Sequence, residues 1–555
     1  MKSAYITRKL RRAMLAGACA LLATGAMTSC DDMLDMKPQG QFTASQLDDE
    51  SIEGLMAAAY AGLQSHFFGN NEAFAGPITN WIFDVRSDDA YKGGGGVSME
   101  GNIHQLEVSN IQSDNVSIFN KWQNNFYAVS RCNKAIQAVT NSEAGDKENL
   151  IAQLKTLRAY FYFDLIRIFD RIPYFTEEDN PNEARYDQYS RDEIFGFIKA
   201  DLAAAYKALP ESQTQVGRFN KYVAAAIHAK VSAFTSSWSE VEEYAGYVIG
   251  SGKYQLYNNF LDMSKIEFNN TYESVMAIQF STANNNANIN WCNLLNTTYS
   301  AGNLYGSGDD FFLASQNLVN AFRTDDNGLP VLDGTFNDVR VTTNYPGNVD
   351  PRLDFTVGRI GMPFRGFTYT MEWTRAYDVY GEYSGKKGLI DPNSPDMVQG
   401  FPWGASPLNF ILIRYADIVL LKAEALIEQN KDLADARELI NSVRRKAARS
   451  VDPSYTPVDC NPNIASYYVA EYPATGWTQD YARRAVRMER RLELAMEGNR
   501  WFDLVRWGNV VETMNEYFTT EAKLRPYYDG AMMSADETYF PVPLSEVENA
   551  GGLYN

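Results

Sequence analysis

The chain predicts a helix-dominated, all-α type of fold: stacked pairs of α-helices interrupted by one long, loop-rich excursion. Three observations carry this reading. Apolar residues recur at three- and four-residue spacing over long stretches, as one buried face of an α-helix requires. Capping residues and prolines mark where those stretches begin and end. Between residues 281 and 411 the helical period is lost. A compact domain does not leave a segment of that length structureless, so it must fold against the helices as short strands and irregular turns.

The chain opens on a leader. Lys2, Arg8, Lys9, Arg11 and Arg12 precede an apolar, alanine-rich run over 13–27, and Thr28 and Ser29 lead into Cys30. A basic segment, a short apolar segment and a small-residue cleavage site make residues 1–29 an expected export signal. The apolar run is shorter than the ~20 residues a helix needs to span a bilayer. A cysteine directly after such a site resembles the lipobox of bacterial lipoproteins, which implies that Cys30 is acylated; several acyl chains exceed the two signals that stable anchoring needs. Asp31 and Asp32 resemble the surface-export signal of Bacteroidota lipoproteins, which implies an outward-facing location on the outer membrane. The alternative is an ordinary secretory signal with an incidental cysteine.

Helices follow a short tether over 33–38. Leu150, Leu154, Leu157, Phe161, Leu165 and Ile168 make one apolar stripe. Ser190 and Glu193 have the spacing of a capping box ahead of Ile194, Ile198, Leu202 and Leu209, and Pro210 ends that helix. Asn220 is placed to cap the next, with Val223, Ile227, Val231 and Phe234 on its face. Residues 412–427 are apolar almost all round, which predicts a buried helix, and Asp432 is placed to cap a partner carrying Leu439, Ile440 and Val443. Pairs of this kind predict αα-hairpins stacked as a solenoid.

Composition excludes several function classes. The formal charge is −19, and residues 1–29 hold five cations and no acid, so the remainder sits near −24. Nucleic-acid binding requires a basic face and is not expected. After the leader and Cys30, Cys132, Cys292 and Cys460 remain; their spacing pairs none of them, and three unpaired thiols is the simpler reading. His66, His104 and His228 stand far apart with no ligand partner nearby in sequence, so no metal site and no cofactor are expected. No P-loop, HExxH or GxSxG occurs, and Gly306-Ser307-Gly308 lacks the first glycine of the last. Gly93 to Gly96 has no Lys-Ser/Thr after it and reads as a flexible loop. Asp325-Asp326-Asn327-Gly328 lacks the spacing of a calcium loop and reads as a turn. Glu489, Glu493 and Glu497 recur at four-residue spacing as glycosidase carboxylates would have to be weighed. Arg487, Arg490, Arg491, Arg500 and Arg506 are interleaved with them, so a structural ion-pair network is expected instead of a catalytic site.

Ordered motifs resemble the SusD/RagB family of outer-membrane lipoproteins. Arg414-Tyr415-Ala416-Asp417 to Ala423-Glu424-Ala425 resembles its RYAD…AEA signature, and the run from Glu489 to Gly508, with Gly498-Asn499-Arg500-Trp501-Phe502-Asp503, resembles its other hallmark. Leu157-Arg158-Ala159-Tyr160, Asp350-Pro351-Arg352-Leu353 and Phe540-Pro541-Val542-Pro543 agree in order. Asn499 stands where the family more often has His, and Asp170 where Gly often precedes the proline turn. The resemblance implies a SusD-like fold of tetratricopeptide-like helix pairs, an αα superhelix with a loop-rich region. The organisation it implies is a helical region over 30–280 and a second region over 281–555, in which 281–411 carries ligand and 412–520 is helical. It implies no catalysis. The protein would capture oligosaccharides and deliver them to a SusC-like TonB-dependent transporter; a peptide-binding lipoprotein of RagB type is the alternative, and a surface glycoside hydrolase a third class.

Ligand contacts are expected from the irregular segments, since loops on a rigid scaffold carry binding residues. Tyr and Trp present an apolar face and a polar tip, which suits the C–H face of a sugar, while carboxylates take its hydroxyls. With the help of the family analogy, the candidates are Asp88, Asp89 and Tyr91 in the 87–96 run and Trp291, Tyr299, Tyr305 and Trp373 in the excursion.

Overall fold

The computed structural model describes residues 49–64, 74–179, 186–286, 288–299, 304–451 and 459–554. Cys30, the leader and the tether lie outside the described residues. The fold is helix-dominated, as the sequence predicts. Its principal helices are α1 (Asp49–Tyr60), α2 (Trp81–Val85), α3 (Val116–Asn141), α4 (Lys147–Ile168), α5 (Arg191–Ala208), α6 (Lys221–Phe234), α7 (Trp238–Gly250), α8 (Tyr415–Glu428), α9 (Leu433–Arg449), α10 (Gln479–Leu494), α11 (Arg500–Trp507) and α12 (Val510–Glu521). None of the described helices is long and apolar enough to cross a membrane.

Consecutive helices from α3 to α7 pack pairwise, and α7 then packs against α8, which packs on α9 and α10. The stack thus continues across the 164 residues that separate α7 from α8 in sequence. Strands β2 (Ser274–Ile278) and β4 (Phe410–Arg414) pair antiparallel and close the neck of that excursion. A second antiparallel pair, β1 (Ala90–Gly93) with β3 (Phe311–Ala314), ties it to the N-terminal region through the register Ala90–Ala314, Tyr91–Leu313 and Gly93–Phe311. One large core joins residues from Ile52 to Phe540.

Local signals explain most boundaries. The Ser190 hydroxyl accepts from the Glu193 amide, and the Glu193 carboxylate accepts from the Ser190 amide at 2.8 Å, closing the expected capping box. Asn220 Oδ1 accepts from Tyr222 N at 2.9 Å and Val223 N at 3.2 Å. The α4 stripe is buried from Leu154 onward, with Leu150 half-buried, and so is every residue from Thr156 to Ile168, because α3 and α5 cover the helix from both sides. Two expectations need correction. Residues 410–414 form strand β4, so α8 starts at Tyr415, later than expected; Ile411 and Ile413 suit the pleated ladder with β2 better than a helix. Asp432 does occupy the cap position of α9, but in a left-handed conformation (φ 44°, ψ 50°) with no side-chain cap bond.

The expected carboxylate network exists, although its partners come from elsewhere. Glu489 pairs with Arg352 at 2.7 Å and Arg444 at 2.9 Å. Glu493 pairs with Lys446 at 2.6 Å, Arg414 at 2.7 Å and Arg352 at 3.2 Å. Glu497, beyond the end of α10, takes Lys387 at 2.6 Å and Arg414 at 2.8 Å. The arginines interleaved in sequence look outward from this cluster: Arg490 binds Asp417 and Asp503, Arg506 binds Glu424 and Asp503, and Arg487 lies over Trp507. Helical spacing predicts neighbours along one helix, whereas here tertiary packing supplies cations from α9, β4 and the excursion. Glu493→Gln leaves those cations short of an anion, and breaking a buried pair costs ~3–5 kcal/mol. The expected result is a lower urea midpoint with an unchanged slope and native far-UV circular dichroism; an unchanged midpoint would contradict the structural role.

Candidate functional site

The two irregular segments meet, and they meet through β1. Its continuation, the glycine run 93–96, folds back around its own lysine: Lys92 Nζ donates to Gly93 O at 3.0 Å, Gly96 O at 2.9 Å and Met99 O at 2.6 Å. Burial pushes the Lys92 ammonium down to about 8. The loop therefore turns carbonyls towards a cation, which is the opposite polarity to an anion cradle and gives the expected flexible loop a fixed centre. Gly93 is required where it stands: φ is +79°, and a Cβ would lie 2.3 Å from Asp310 O.

Gly95 abuts the excursion, where an added Cβ would lie 3.2 Å from Arg375 Nε. Arg375 pairs with Asp309 and stacks over Tyr299 with its guanidinium carbon 5.0 Å from the ring centroid. Tyr299 is 39 % exposed, and its amide donates to Trp373 O at 3.1 Å. On the same segment, Trp291 meets Phe401 edge-to-face at 6.0 Å and 82°, and Phe401 meets Trp403 at 6.2 Å and 89°. Phe401 is 55 % exposed. Gly404 N donates to Tyr305 O at 3.1 Å and Asn290 N to Ser406 O at 3.1 Å, so the turn carrying Phe401 and Trp403 is fastened to the strip carrying Trp291 and Tyr299. The result is an aromatic ridge held on loops whose backbone is hydrogen-bonded at several points.

Of the seven sequence candidates, Trp291 and Tyr299 reach this surface and five do not. Asp88 is buried between Arg500 (2.8 Å) and Arg491 (3.0 Å), and Asp89 binds Arg491 at 2.8 Å. Burial alone would push Asp88 up, but the two guanidiniums outweigh it and hold the carboxyl at about 2. The Tyr91 hydroxyl donates to Glu521 at 2.5 Å and accepts from Gln316 N. These three residues are corrected from ligand contacts to ties between β1 and α10–α12, because all three side chains are buried and turned to the protein interior, where Asp89 Oδ2 alone among their side-chain oxygens has no hydrogen-bond partner. Tyr305 (4 % exposed) and Trp373 (7 %) join Phe364, Tyr369, Leu389 and Ile390 in a small core beneath the ridge; the Tyr305 hydroxyl donates to Ile390 O at 2.9 Å. Both are corrected to supports. Sequence reasoning missed Phe401, Trp403 and Arg375; the signal available was the Phe401-Pro402-Trp403-Gly404 turn, which sets two aromatics in a segment too short to bury both.

Asp310 links these parts. Its carboxylate accepts from Arg375 N at 2.9 Å, its carbonyl accepts from Gly94 N at 2.8 Å, and its amide donates to Thr297 O at 2.9 Å. Burial pushes the carboxyl up to about 7, against the opposing Arg375 amide and Ser384 hydroxyl. Because the unfolded chain ionises near ~4 and the folded one near neutrality, stability falls as pH rises from about 4 to about 7 and levels off above. In Asp310→Asn this contribution disappears, so melting temperature measured from pH 5 to 8 should decline less steeply than in wild type. Parallel profiles would show that Asp310 does not titrate in that window.

Comparison with known proteins agrees with the fold. A model of the SusD family matches residues 272–555, just over half of the chain, and one described as starch-binding, associating with outer membrane, matches residues 49–232. The chain is 23 % identical to SusD-like protein P38 of Formosa agariphila over 89 % of its length and 91 % of that protein. It is 26 % identical to a SusD-like protein of Bacteroides ovatus, covering 90 % and 84 %. Among solved structures, a SusD-like carbohydrate binding protein of Bacteroides fragilis superposes with a TM-score of 0.73 at 22 % identity, covering 90 % of this chain and 98 % of that one. Surface glycan-binding protein A of Bacteroides thetaiotaomicron, in complex with laminarihexaose, gives 0.69 at 20 % identity, covering 91 % and 99 %. With its paired helices, its excursion and these matches to both halves, the chain belongs to the SusD family.

Proposed function

We propose that this protein is a cell-surface lipoprotein, anchored through Cys30, that captures oligosaccharides on the ridge formed by Trp291, Tyr299, Phe401 and Trp403 and delivers them to a SusC-like TonB-dependent outer-membrane transporter. The observation that carries the reading is the ridge itself. Large aromatic faces are left partly open to solvent on a hydrogen-bonded scaffold, and such surfaces mark interaction sites. Aromatic rings cover the C–H faces of sugars, and the Arg375–Asp309 pair beside Tyr299 supplies a donor and an acceptor for hydroxyls. Structural neighbours described as carbohydrate- or laminarin-binding proteins support the ligand class. No catalytic step is assigned, since the acids near the ridge, Asp309 and Asp310, are paired or buried.

Calorimetry against an oligosaccharide panel that includes laminarihexaose tests the reading. Trp291→Ala and Phe401→Ala should each weaken binding by about 1–3 kcal/mol, the scale of a central aromatic contact, with melting temperatures near wild type. Trp373→Ala and Tyr305→Ala should lower stability first. Full affinity in Trp291→Ala and in Phe401→Ala would place the ligand elsewhere, and release of shorter sugars during incubation would contradict a binding-only role. Cys30→Ala should yield a folded protein that no longer fractionates with outer membrane in cells lacking the transporter; retention there would refute the anchor.

A further inference from the structure

The ridge has two halves, Trp291 with Phe401 and Trp403, and Tyr299 with Arg375, and the Gly306-Ser307-Gly308 turn joins them. Gly308 N donates to Gly306 O at 3.1 Å, which makes a three-residue turn with Ser307 at its apex. Both glycines are pressed against ridge-bearing segments. A Cβ on Gly306 would lie 2.1 Å from Cε3 of the Trp403 indole and 2.7 Å from its Cδ2, and the backbone there is left-handed (φ +92°). A Cβ on Gly308 would lie 2.1 Å from Thr297 Oγ1 and 2.5 Å from Thr298 O, in the strip that leads to Tyr299. No side chain larger than hydrogen fits at either position without displacing a neighbour. One residue further on, Asp309 holds the Arg375 guanidinium that stacks over Tyr299.

The apex of this turn is an open polar group beside an aromatic face. Ser307 is exposed, and its hydroxyl makes no hydrogen bond among the described residues. Hydroxyls on the adjoining segments are placed differently: those of Thr297 and Thr298 are buried, and Thr374 Oγ1 already donates to Met371 O at 2.8 Å. Trp403 is half-buried, with Gly306 beneath part of its indole and the rest open. A sugar ring lying on that indole directs its hydroxyls outward from its rim. Ser307 stands one Cα step, ~3.8 Å, from the glycine that touches the indole, so its hydroxyl lies at that rim. Being both donor and acceptor, it bonds a sugar hydroxyl in either sense and needs no charge on the ligand.

We infer that Ser307 is a ligand contact and Gly306 a positioning residue of the oligosaccharide surface: the turn hydroxyl bonds the sugar that lies on Trp403, and Gly306 seats the indole beneath it. This rests on the glycan-capture reading of the ridge. A turn that served the fold alone would need its two glycines for packing, but nothing would then link its exposed apex to binding. With Ser307 in contact, the two aromatic halves act as one continuous surface, bridged by a hydroxyl at the turn between them.

Calorimetry on the purified full-length protein with laminarihexaose, maltohexaose and cellohexaose tests this. For whichever of the three binds, Ser307→Ala should weaken affinity about two- to tenfold, the range of one hydrogen bond. Its melting temperature should stay at the wild-type value, since the side chain is exposed. Ser307→Gln, which lays a longer side chain over the same spot, should weaken binding further. Gly306→Ala, checked for folding by circular dichroism, should lose as much affinity as Trp403→Ala. The double variant should bind no more weakly than Trp403→Ala alone, because both changes remove one contact. General damage from Gly306→Ala would instead add to the loss from Trp403→Ala. Wild-type affinity in both Ser307 variants, additive losses at Gly306 and Trp403, or no loss in Trp403→Ala overturns the inference. If Trp291→Ala and Phe401→Ala still weaken binding in that event, the ridge stands and the turn is no part of it. If wild-type protein binds none of the three sugars, the capture reading and the inference fall together.

Discussion

Glu493 is held by Lys446 from α9, Arg414 from the end of β4 and Arg352 from inside the excursion. Glu273 at the root of β2 binds Arg414 and Lys446 as well, each at 2.7 Å. Four parts of the chain far apart in sequence are thus assembled around one carboxylate. Each ion on its own would forfeit several kcal/mol of hydration on burial. Here Glu273, Asp350, Glu489, Glu493 and Glu497 face Arg352, Lys387, Arg414, Arg444 and Lys446, so the cluster closes at zero net charge. Such a network contributes little net stability over an apolar substitute but penalises any arrangement that leaves one member unpaired. Its consequence is registry: the excursion has one seat on the helical stack. Burial would raise the Glu493 carboxyl, yet the three cations outweigh it and hold it far below the usual range. The Glu493 carboxylate therefore stays ionised at neutral and mildly acidic pH, and its contribution is lost only in strong acid.

A fixed seat explains how a segment with little regular structure presents a defined surface. The neck β2–β4 and the tie β1–β3 fasten the excursion at two places; Phe311, Phe312, Tyr380 and Tyr383 join the large core, and eight further aromatics fall into two groups. Tyr305, Phe364, Tyr369 and Trp373 pack on one another, with Phe364 and Tyr369 stacked at 5.6 Å, and form the filling that helices supply elsewhere. Trp291, Tyr299, Phe401 and Trp403 lie outside that filling, on turns whose amides and carbonyls are hydrogen-bonded to neighbouring turns. Rigid aromatic side chains on rigid turns lose little entropy when a ligand covers them, and the inner population is what makes the outer one rigid.

This division also sets how far the sequence was legible. Helix faces and caps were, because the α4 stripe, the Ser190 capping box and the Asn220 cap depend on residues within one or two turns. The segment 410–414 was not, since its choice between helix and strand is decided by β2, more than 130 residues away. The acidic cluster was read correctly as structural but with the wrong partners: sequence spacing sees Arg490 and Arg491 near Glu493 and cannot see Arg352, Arg414 or Lys446. Asp88, Asp89 and Tyr91 failed as ligand contacts for a related reason. A polar residue beside a glycine loop has the same sequence appearance whether it faces solvent or faces Arg491, Arg500 and Glu521, and only the pairing of β1 with β3 turns it inward. In the excursion, which of several aromatics is core and which is surface has no periodic signature at all.

The same distribution of acids bears on the binding-only role proposed for this surface. Glycoside hydrolysis needs two carboxyl groups facing the scissile bond, one of them protonated near neutral pH. Asp310 has the appropriate acidity, but it is buried under the ridge with its oxygens turned to the Arg375 amide and the Ser384 hydroxyl. Its neighbour Asp309 is neutralised by Arg375. The acids of the Glu493 network are enclosed by their own cations. Near the ridge, then, the proton donor is inaccessible and the half-exposed Asp309 carboxylate is engaged by Arg375, while Tyr299 and Phe401 keep part of their aromatic surface exposed. On the proposed reading, a sugar chain lying over those aromatic faces would meet no free pair of carboxyl groups flanking a glycosidic bond, the arrangement that hydrolysis requires.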